Sequence, residues 1–274
     1  MIIVTKKGDR AVKKAIFFDI DGTLIEAKDG IKEIRPNVQS AIRSLQENGH
    51  YVFIATGRPY AFLSQAILNF GFDGFILANG AHVVVKDELL HSEPLDKEFV
   101  KEFTSKLEAM NVQYILEGEK HSYLKETHKE FYEFYDRVGI LNDLFESNYS
   151  LDEVDIHKIE MLCMTDEIYQ ACLELLAGHD EYDHVSSIDF GVCELYSKKN
   201  TKATGIIKAL QHLNIPIENS YAFGDGKNDI EMLSTVGCGI AMGNASDEVK
   251  KYAHQVTETV HNDGVAFGIE KFVV

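Results

Sequence analysis

Seven polar side chains follow apolar segments that are predicted to be strands, and most of them are carboxylates. They are Asp19, Asp21, Thr56, Asn79, Asp225, Asn228 and Asp229. In an open parallel sheet, ligands bind beyond the carboxyl ends of the strands, so we expect these side chains to converge. Each aspartate could instead cap the next helix. Four clustered aspartates would repel one another without a cation, and oxygen-only ligation favours Mg²⁺, which commonly also meets phosphate oxygens.

The segments that carry these residues predict a parallel sheet. Residues 15–20, 51–55 and 74–78 are short apolar runs of the kind found in strands buried on both faces. Between the first two runs, apolar residues recur at helical spacing from Pro36 to the stop signal at Gly49. Strands that alternate with helices in this way predict an α/β fold with right-handed crossovers.

The pattern changes in the middle of the chain. Between residues 83 and 189, half-polar strands alternate with helical stretches, and the first pattern returns after residue 197. We therefore predict a doubly wound, Rossmann-like parallel-sheet core domain built from residues 1–82 and 190–274. Residues 83–189 are predicted to form an inserted α+β domain.

Composition excludes several classes of partner. The chain has 274 residues, with 27 basic and 44 acidic side chains and a net charge of −17. This charge argues against general binding to nucleic acids or to anionic membranes, both of which require clustered basic residues. The sequence contains neither an apolar run of membrane-spanning length nor a recognisable export signal. We therefore expect a cytoplasmic protein with reduced cysteines.

The motifs of P-loop, nucleophile-elbow and zinc-protease enzymes are absent, whereas four other segments occur in order. They are Asp19-Ile20-Asp21-Gly22-Thr23, Ala55-Thr56-Gly57-Arg58, Thr201-Lys202-Ala203-Thr204-Gly205 and Gly224-Asp225-Gly226-Lys227-Asn228-Asp229. These segments resemble the four motifs of the haloacid dehalogenase (HAD) superfamily. Residues 241–245 and 262–266 resemble further signatures of its Cof-type phosphatases. Lys202 follows Thr56 by 146 positions, so the resemblance implies a cap domain inserted between the second and third motifs.

The resemblance implies Mg²⁺-dependent hydrolysis of phosphate monoesters through an aspartyl-phosphate. Asp19 would be the nucleophile and Asp21 the general acid and base, while Thr56 and Lys202 would hold and stabilise the phosphoryl group. Phosphate or substrate would also contact Gly22, Gly57, Arg58 and Asn228. The metal ligands would be Asp19, Asp21, Asp225 and Asp229. Arg58 has an equally good interpretation as the residue that opens the next helix.

The expected substrate is a small phosphorylated metabolite, either a sugar phosphate or a phosphorylated cofactor. Two alternatives share these motifs. A phosphomutase or phosphotransferase would also begin with attack by Asp19, and a protein that only binds phosphorylated metabolites could keep the same fold. The sequence predicts no particular oligomeric state.

The negative charge lies in the inserted segment. Residues 83–190 carry 26 acidic and 9 basic side chains, whereas the rest of the chain is close to neutral. The simpler interpretation is a solvated surface that keeps the protein soluble. A sharper hypothesis is that an acidic cap disfavours polyanionic substrates and accepts an amine on the leaving group. His157 and Glu194 could select substrate there, or could serve only in packing or lie exposed to solvent.

Overall fold

The computed structural model describes residues 12–138, 140, 144–187 and 191–274. Its strands are β1 (Ala15–Phe18), β2 (Tyr51–Ala55), β3 (Gly74–Leu77), β4 (His82–Val85), β5 (Glu88–Ser92), β6 (Tyr114–Gly118), β7 (Ser122–Tyr123), β8 (Phe145–Glu146), β9 (Ile156–Leu162), β10 (Tyr182–Ser187), β11 (Val192–Ser197), β12 (Ser220–Gly224), β13 (Cys238–Ala241) and β14 (Gln255–Val256). Its α-helices are α1 (Pro36–Glu47), α2 (Gln65–Leu68), α3 (Lys97–Ala109), α4 (Lys129–Val138), α5 (Asp166–Leu176), α6 (Lys202–Leu213), α7 (Ile230–Thr235), α8 (Asp247–Lys250) and α9 (Gly264–Gly268).

The larger sheet has eight strands in the order β14-β13-β12-β1-β2-β3-β4-β5. The six strands from β14 to β3 pair in parallel, and β4 and β5 add an antiparallel hairpin at one edge. Side chains of a strand point alternately to the two faces. Accordingly, Ile16 and Phe18 pack with α1, whereas Ala15 and Phe17 pack with α6 and α7. Helices therefore cover both faces, and the predicted doubly wound α/β class is confirmed.

The smaller sheet has six strands in the order β10-β11-β9-β6-β7-β8. Its pairings are antiparallel except for the parallel pair β7–β8. One face packs on α3 and α5 through residues such as Phe103, Cys172 and Ile159. On the other face, α4 covers one end through Phe131 and Tyr135. The remainder of that face is turned toward the larger sheet and carries charged side chains.

The sheets divide the chain at positions that differ slightly from the predicted boundaries. Strands β4 and β5 belong to the larger sheet, although most of their residues fall within the predicted insert. Strand β11 belongs to the smaller sheet, although it falls in the predicted core segment. In both cases backbone pairing to a neighbouring strand decides the membership, and pairing of this kind is not visible in local hydrophobic patterns.

One predicted helix is much shorter than its apolar spacing indicates. Apolar residues from Phe62 to Phe70 predict a helix, but only α2 forms, after a 3₁₀ turn at Tyr60–Phe62. Leu63 separates the 3₁₀ turn from α2, because its backbone is extended (φ −78°, ψ 132°). Ser64 then caps α2 by accepting a hydrogen bond from the Ile67 N–H. In the part of the chain that the structure describes, no helix combines the length and apolar character needed to cross a membrane.

Candidate active site

Asp19 lies directly beyond β1, at the centre of the larger sheet. Its backbone N–H donates to the carbonyl of Phe223 at 3.0 Å, which extends the pairing of β1 with β12. The residue is only 6% exposed. The Lys202 ammonium donates to Oδ1 of Asp19 and to Oδ1 of Asp229, at 2.6 Å in each case. Asp19 is thus a buried carboxylate held by a buried cation.

The position of Lys202 follows from the start of α6. Thr201 caps this helix, because its hydroxyl accepts from the Thr204 N–H and the Thr204 hydroxyl accepts in turn from the Thr201 N–H. This reciprocal capping box fixes the first turn, of which Lys202 is the first residue. Burial lowers the pKa of Lys202, but Asp19 and Asp229 outweigh this effect and leave the pKa raised. The lysine therefore stays cationic.

Asp229 organises the loop that follows β12. Its Oδ2 accepts hydrogen bonds from the backbone N–H groups of Asp225, at 2.9 Å, and of Gly226, at 2.8 Å. With Lys202 on its Oδ1, this fully buried carboxylate accepts three hydrogen bonds. A carboxylate has about four acceptor positions, so little of its capacity remains for a metal ion. These contacts favour a role in which Asp229 holds Asp225 and Lys202 in place.

Three carboxylates form a group suited to a cation. One oxygen from each of Asp19, Asp225 and Asp229 can be chosen so that all lie within 4.8 Å of one another. Burial raises the pKa of Asp19 and raises that of Asp225 to about 7, although Lys202 opposes the first shift and a hydrogen bond from Thr23 opposes the second. Lys202 balances only one of the three negative charges, of which those of Asp19 and Asp229 are buried and that of Asp225 is half-buried. A hard cation with oxygen ligands fits this donor set.

Gly22 allows the loop after β1 to approach this group. Its φ of +82° is in the left-handed region, and an added Cβ would overlap the Asp225 carboxylate. The Gly22 carbonyl accepts a hydrogen bond from the Asn244 side chain at 2.8 Å. The glycine in the first motif is therefore needed for both backbone conformation and space.

Asp21 and Arg58 form a two-point ion pair at the same edge of the sheet. Nε and one terminal nitrogen of Arg58 donate to the two carboxylate oxygens of Asp21, at 2.7 and 2.6 Å. The other terminal nitrogen donates to the carbonyl of Phe62 at 3.0 Å. The Asp21 side chain is about half exposed. Bidentate pairing fixes both the position and the plane of a carboxylate, so Arg58 orients Asp21.

The residues after β2 and β3 complete the floor of the site. Thr56 is buried, and its hydroxyl accepts from the Arg58 N–H at 3.2 Å. Asn228 donates through its side-chain nitrogen to Oδ1 of Asn79 at 3.1 Å. A Cβ on Gly57 would press against both asparagine side chains. Thr56, Gly57, Asn79 and Asn228 are thus neighbours, although they come from three separate segments of the sequence.

A cavity of about 970 Å³ lies between the two sheets. Its floor includes Asp19, Asp21, Thr56, Gly57, Arg58, Asn79, Lys202 and Asn228. Its opposite wall comes from the smaller sheet and includes Glu117, Lys158, Glu160 and Glu194. Asp225 and Asp229 lie beside Asp19. A small molecule bound here would meet side chains from both sheets.

Sequence reasoning missed three residues of the upper wall, namely Glu117, Lys158 and Glu160. Lys158 and Glu160 alternate with Ile159 and Met161 in β9, so they point to the face opposite the apolar core. All three side chains are nonetheless buried. For Lys158 and Glu160, two charged residues at alternate positions of a mostly apolar strand are the signal that could have identified them.

Comparisons with known proteins agree with this architecture. A family profile described as haloacid dehalogenase-like hydrolase matches residues 16–269. In Bacillus subtilis (strain 168), the 5-amino-6-(5-phospho-D-ribitylamino)uracil phosphatase YitU is 31% identical over 281 residues, covering 94% of this chain and 96% of YitU. Phosphatase YwpJ of the same organism is 30% identical, covering 92% and 97% of the two chains. The structure of the HAD subclass IIB sugar phosphatase BT4131 matches with a TM-score of 0.78 and 28% identity, covering 96% of this chain and all (100%) of that one.

The chain therefore belongs to the haloacid dehalogenase-like hydrolases. Within that superfamily it is a phosphatase of the Cof type. The resemblance inferred from the four motifs is confirmed, and so is the prediction of an enzyme rather than a protein that only binds phosphorylated compounds. The aspartate group described above has the composition to bind the divalent metal ion that this family generally uses.

Proposed function

We propose that this phosphatase hydrolyses the phosphate monoesters of small metabolites, with Asp19 as the nucleophile and Mg²⁺ as the metal ion. The observation that carries the proposal is the environment of Asp19. It lies on the floor of the cavity, it is buried, and Lys202 holds its Oδ1 at 2.6 Å. Burial raises the pKa of Asp19 well above its ordinary value, although Lys202 opposes that shift. A bound cation would favour the ionised carboxylate that nucleophilic attack on phosphorus requires.

Asp19 and Asp225 are the proposed metal ligands, with Asp229 beside them and with Asp21 contributing through its backbone. When bound, Mg²⁺ would reduce repulsion between the Asp19 carboxylate and an incoming phosphate. Thr56, Gly22, Gly57 and Asn228 would hold phosphoryl oxygens. Lys202 would stabilise the negative charge that spreads over those oxygens as the ester bond breaks.

Asp21 is the proposed general acid and base. It would first protonate the leaving oxygen and later take a proton from the water that attacks the aspartyl-phosphate. Arg58 supports the second of these steps, because its two hydrogen bonds hold the ionised carboxylate in one plane at the cavity. In this proposal Arg58 acts through Asp21 and is a positioning residue.

The proposed substrate class is sugar phosphates or phosphorylated cofactors. A cavity of about 970 Å³ accommodates a ligand of that size. YitU acts on a phosphoribitylamino compound and BT4131 on sugar phosphates, according to their names. The smaller sheet with α3, α4 and α5 would form the cap domain over the site. We propose domain boundaries near residues 93 and 198, and the membership of strands in the two sheets supports them.

The test is phosphate release from a panel of phosphate monoesters, with Mg²⁺ and with a chelator, for the wild type and Asp19→Asn. We expect release only from the wild type with metal. Release by Asp19→Asn, or undiminished release in chelator, would contradict the mechanism. Transfer of phosphate to an added sugar, in preference to water, would instead indicate a phosphotransferase.

The role of Asp21 has a separate signature. With p-nitrophenyl phosphate, whose leaving group needs little protonation, Asp21→Asn should still form the aspartyl-phosphate but should hydrolyse it slowly. Rapid-quench kinetics should therefore show a burst of p-nitrophenolate and accumulation of phosphorylated protein. Equal slowing of both steps, with no burst, would contradict this assignment.

A further inference from the structure

The wall of the cavity that faces the phosphate site is dominated by carboxylates. We call Glu117, Glu160 and Glu194 the carboxylate wall. They lie on the neighbouring strands β6, β9 and β11, where Glu160 pairs with Glu194 and Glu117 pairs with Lys158 in the strand register. Because paired residues share a face of the sheet, the three carboxylates and the lysine form one patch that lines the cavity.

Lys158 is already held by contacts within the protein. Its ammonium lies 2.7 Å from Oε2 of Glu194 and 3.2 Å from Oε2 of Glu117. It also donates to the carbonyl of Gly57 at 3.1 Å. The two carboxylates are ion contacts, and the Gly57 carbonyl is the hydrogen-bond acceptor of the ammonium. Lys158 thus joins the smaller sheet to the loop that follows β2, and its charge is already engaged by groups of the protein.

The carboxylates, in contrast, have unused acceptors. Glu160 accepts a hydrogen bond from the Tyr135 hydroxyl at 2.7 Å through Oε2. Glu117 is 0% exposed, and within the described residues neither of its oxygens accepts a hydrogen bond. A buried acceptor without a donor is costly.

The charges of the patch are also unbalanced. One lysine cannot balance three carboxylates, and burial raises the pKa of Glu117 to about 7 and raises that of Glu160. A ligand that supplies hydrogen-bond donors and positive charge would satisfy these acceptors and balance the negative charge.

Resting on the proposed function, we propose that the carboxylate wall selects the leaving group of the substrate, favouring a phosphorylated amino sugar or similar amine-bearing polyol over an ester with a second anionic group. The phosphate end would lie at Lys202 and the metal site, and the amine would lie at the wall. The two ends of the cavity therefore differ in the sign of charge that they accept. A second phosphate or a carboxylate on the leaving group would meet like charges.

Three substrates of matched size test this proposal, namely glucosamine 6-phosphate, glucose 6-phosphate and 6-phosphogluconate. We expect kcat/KM to fall in that order at one fixed pH. A charge-assisted hydrogen bond corresponds to a factor of about ten or more between the first two. Equal kcat/KM for all three, or a preference for 6-phosphogluconate, would overturn the proposal.

Glu194→Gln is the main variant, because Glu194 is partly exposed and the change keeps the shape of the side chain. The ratio to measure is kcat/KM for glucosamine 6-phosphate divided by kcat/KM for glucose 6-phosphate. Glu194→Gln should reduce this ratio by about tenfold. The matched control is Glu174→Gln, on the exposed surface of α5, which should leave the ratio unchanged. An unchanged ratio in Glu194→Gln would overturn the proposal. Glu117→Gln, in the buried part of the wall, should lower the ratio as well.

The substrate proposal and the proposed function fail in different ways. Metal-dependent hydrolysis of p-nitrophenyl phosphate that is lost in Asp19→Asn tests the function alone, since this substrate has no amine. If that activity is present while the three sugar phosphates are hydrolysed equally well, only the selection by the carboxylate wall is wrong. If it is absent, the proposed function is wrong.

Discussion

The ammonium of Lys202 lies 2.6 Å from Oδ1 of Asp19, and both side chains are almost fully buried. The pair links the start of α6 to the end of β1, which are 183 positions apart in the chain. Removing either partner of a buried ion pair leaves a charge that the interior cannot solvate. The same contact that prepares the proposed nucleophile therefore also contributes to the stability of the larger domain.

Lys202→Met should accordingly reduce both stability and activity. In metal-free protein we expect the free energy of unfolding to fall by about 3–5 kcal/mol, because Asp19 and Asp229 lose their counter-charge. The rate of phosphate release should fall by about a hundredfold or more. Urea unfolding and steady-state kinetics measure the two effects. The control is Lys208→Met on the same helix, which should change stability by less than about 0.5 kcal/mol.

Gly22 and Gly30 provide a matched pair for testing space at the metal site. Both have left-handed φ, +82° and +85°, but only a Cβ on Gly22 would collide with Asp225, whereas the space around Gly30 is open. The left-handed backbone alone should cost an alanine about 1–2 kcal/mol of stability at either position, and the collision with Asp225 adds to that cost at Gly22. Only Gly22→Ala should raise the Mg²⁺ concentration needed for half-maximal activity, which a metal titration of phosphate release measures. An equal rise in the Mg²⁺ concentration for half-maximal activity in both variants, or a rise in neither, would contradict this prediction.

Metal binding should depend on pH. In metal-free protein, burial raises the pKa of Asp225 to about 7 despite the hydrogen bond from Thr23. A bound metal ion requires the ionised carboxylate, so affinity should weaken as pH falls below about 7, by up to about tenfold per pH unit for one proton. Calorimetry in buffers of different ionisation enthalpy should detect proton release on Mg²⁺ binding. Binding without proton release at about pH 6 would contradict the prediction.

The sequence contains enough information to predict the core of the site. Asp19, Thr56 and Asp225 each follow an apolar strand, and the rule that parallel strands present their carboxyl ends at one edge is sufficient to bring them together. Lys202, in contrast, is implied by the resemblance to the third motif, and the capping box at Thr201 is what fixes its position in the structure. The first inference depends on short-range patterns and one topological rule, and the second depends on family resemblance.

The contacts between the two sheets could not be predicted in the same way. Lys158 reaches Gly57 across 101 positions, and the contact exists only because of how the smaller sheet lies over the larger one. No local pattern encodes that relationship. The charge count did indicate an acidic insert, but it could not distinguish a solvated surface from the buried Glu117 and Glu160. Burial of a charge is a tertiary property, because it depends on which elements pack above it.

His157 should make stability depend on pH below neutrality. The ring lies in β9, is 2% exposed, stacks on His82 with centroids 5.7 Å apart, and shares a hydrogen bond with Ser92 at 3.0 Å. Burial, aided by the neighbouring His82, lowers its pKa from 6.5 to about 4. A lowered pKa in the folded state means that the unfolded chain binds more protons between these values. The contribution of neutral His157 to the free energy of unfolding is therefore complete above about pH 6.5 and is lost as pH falls toward about 4.

The prediction is tested by comparing wild type with His157→Gln, which cannot take up a proton. As pH falls from about 6.5 to about 4, the free energy of unfolding of the wild type should fall relative to that of the variant, by an amount on the order of 3 kcal/mol. Chemical denaturation at a series of pH values measures it. Replacing the exposed His212 by Gln is the control, and its difference from wild type should stay nearly constant. A His157→Gln difference that is also constant would show that His157 does not titrate with a lowered pKa, because the loss on acidification follows directly from that shift.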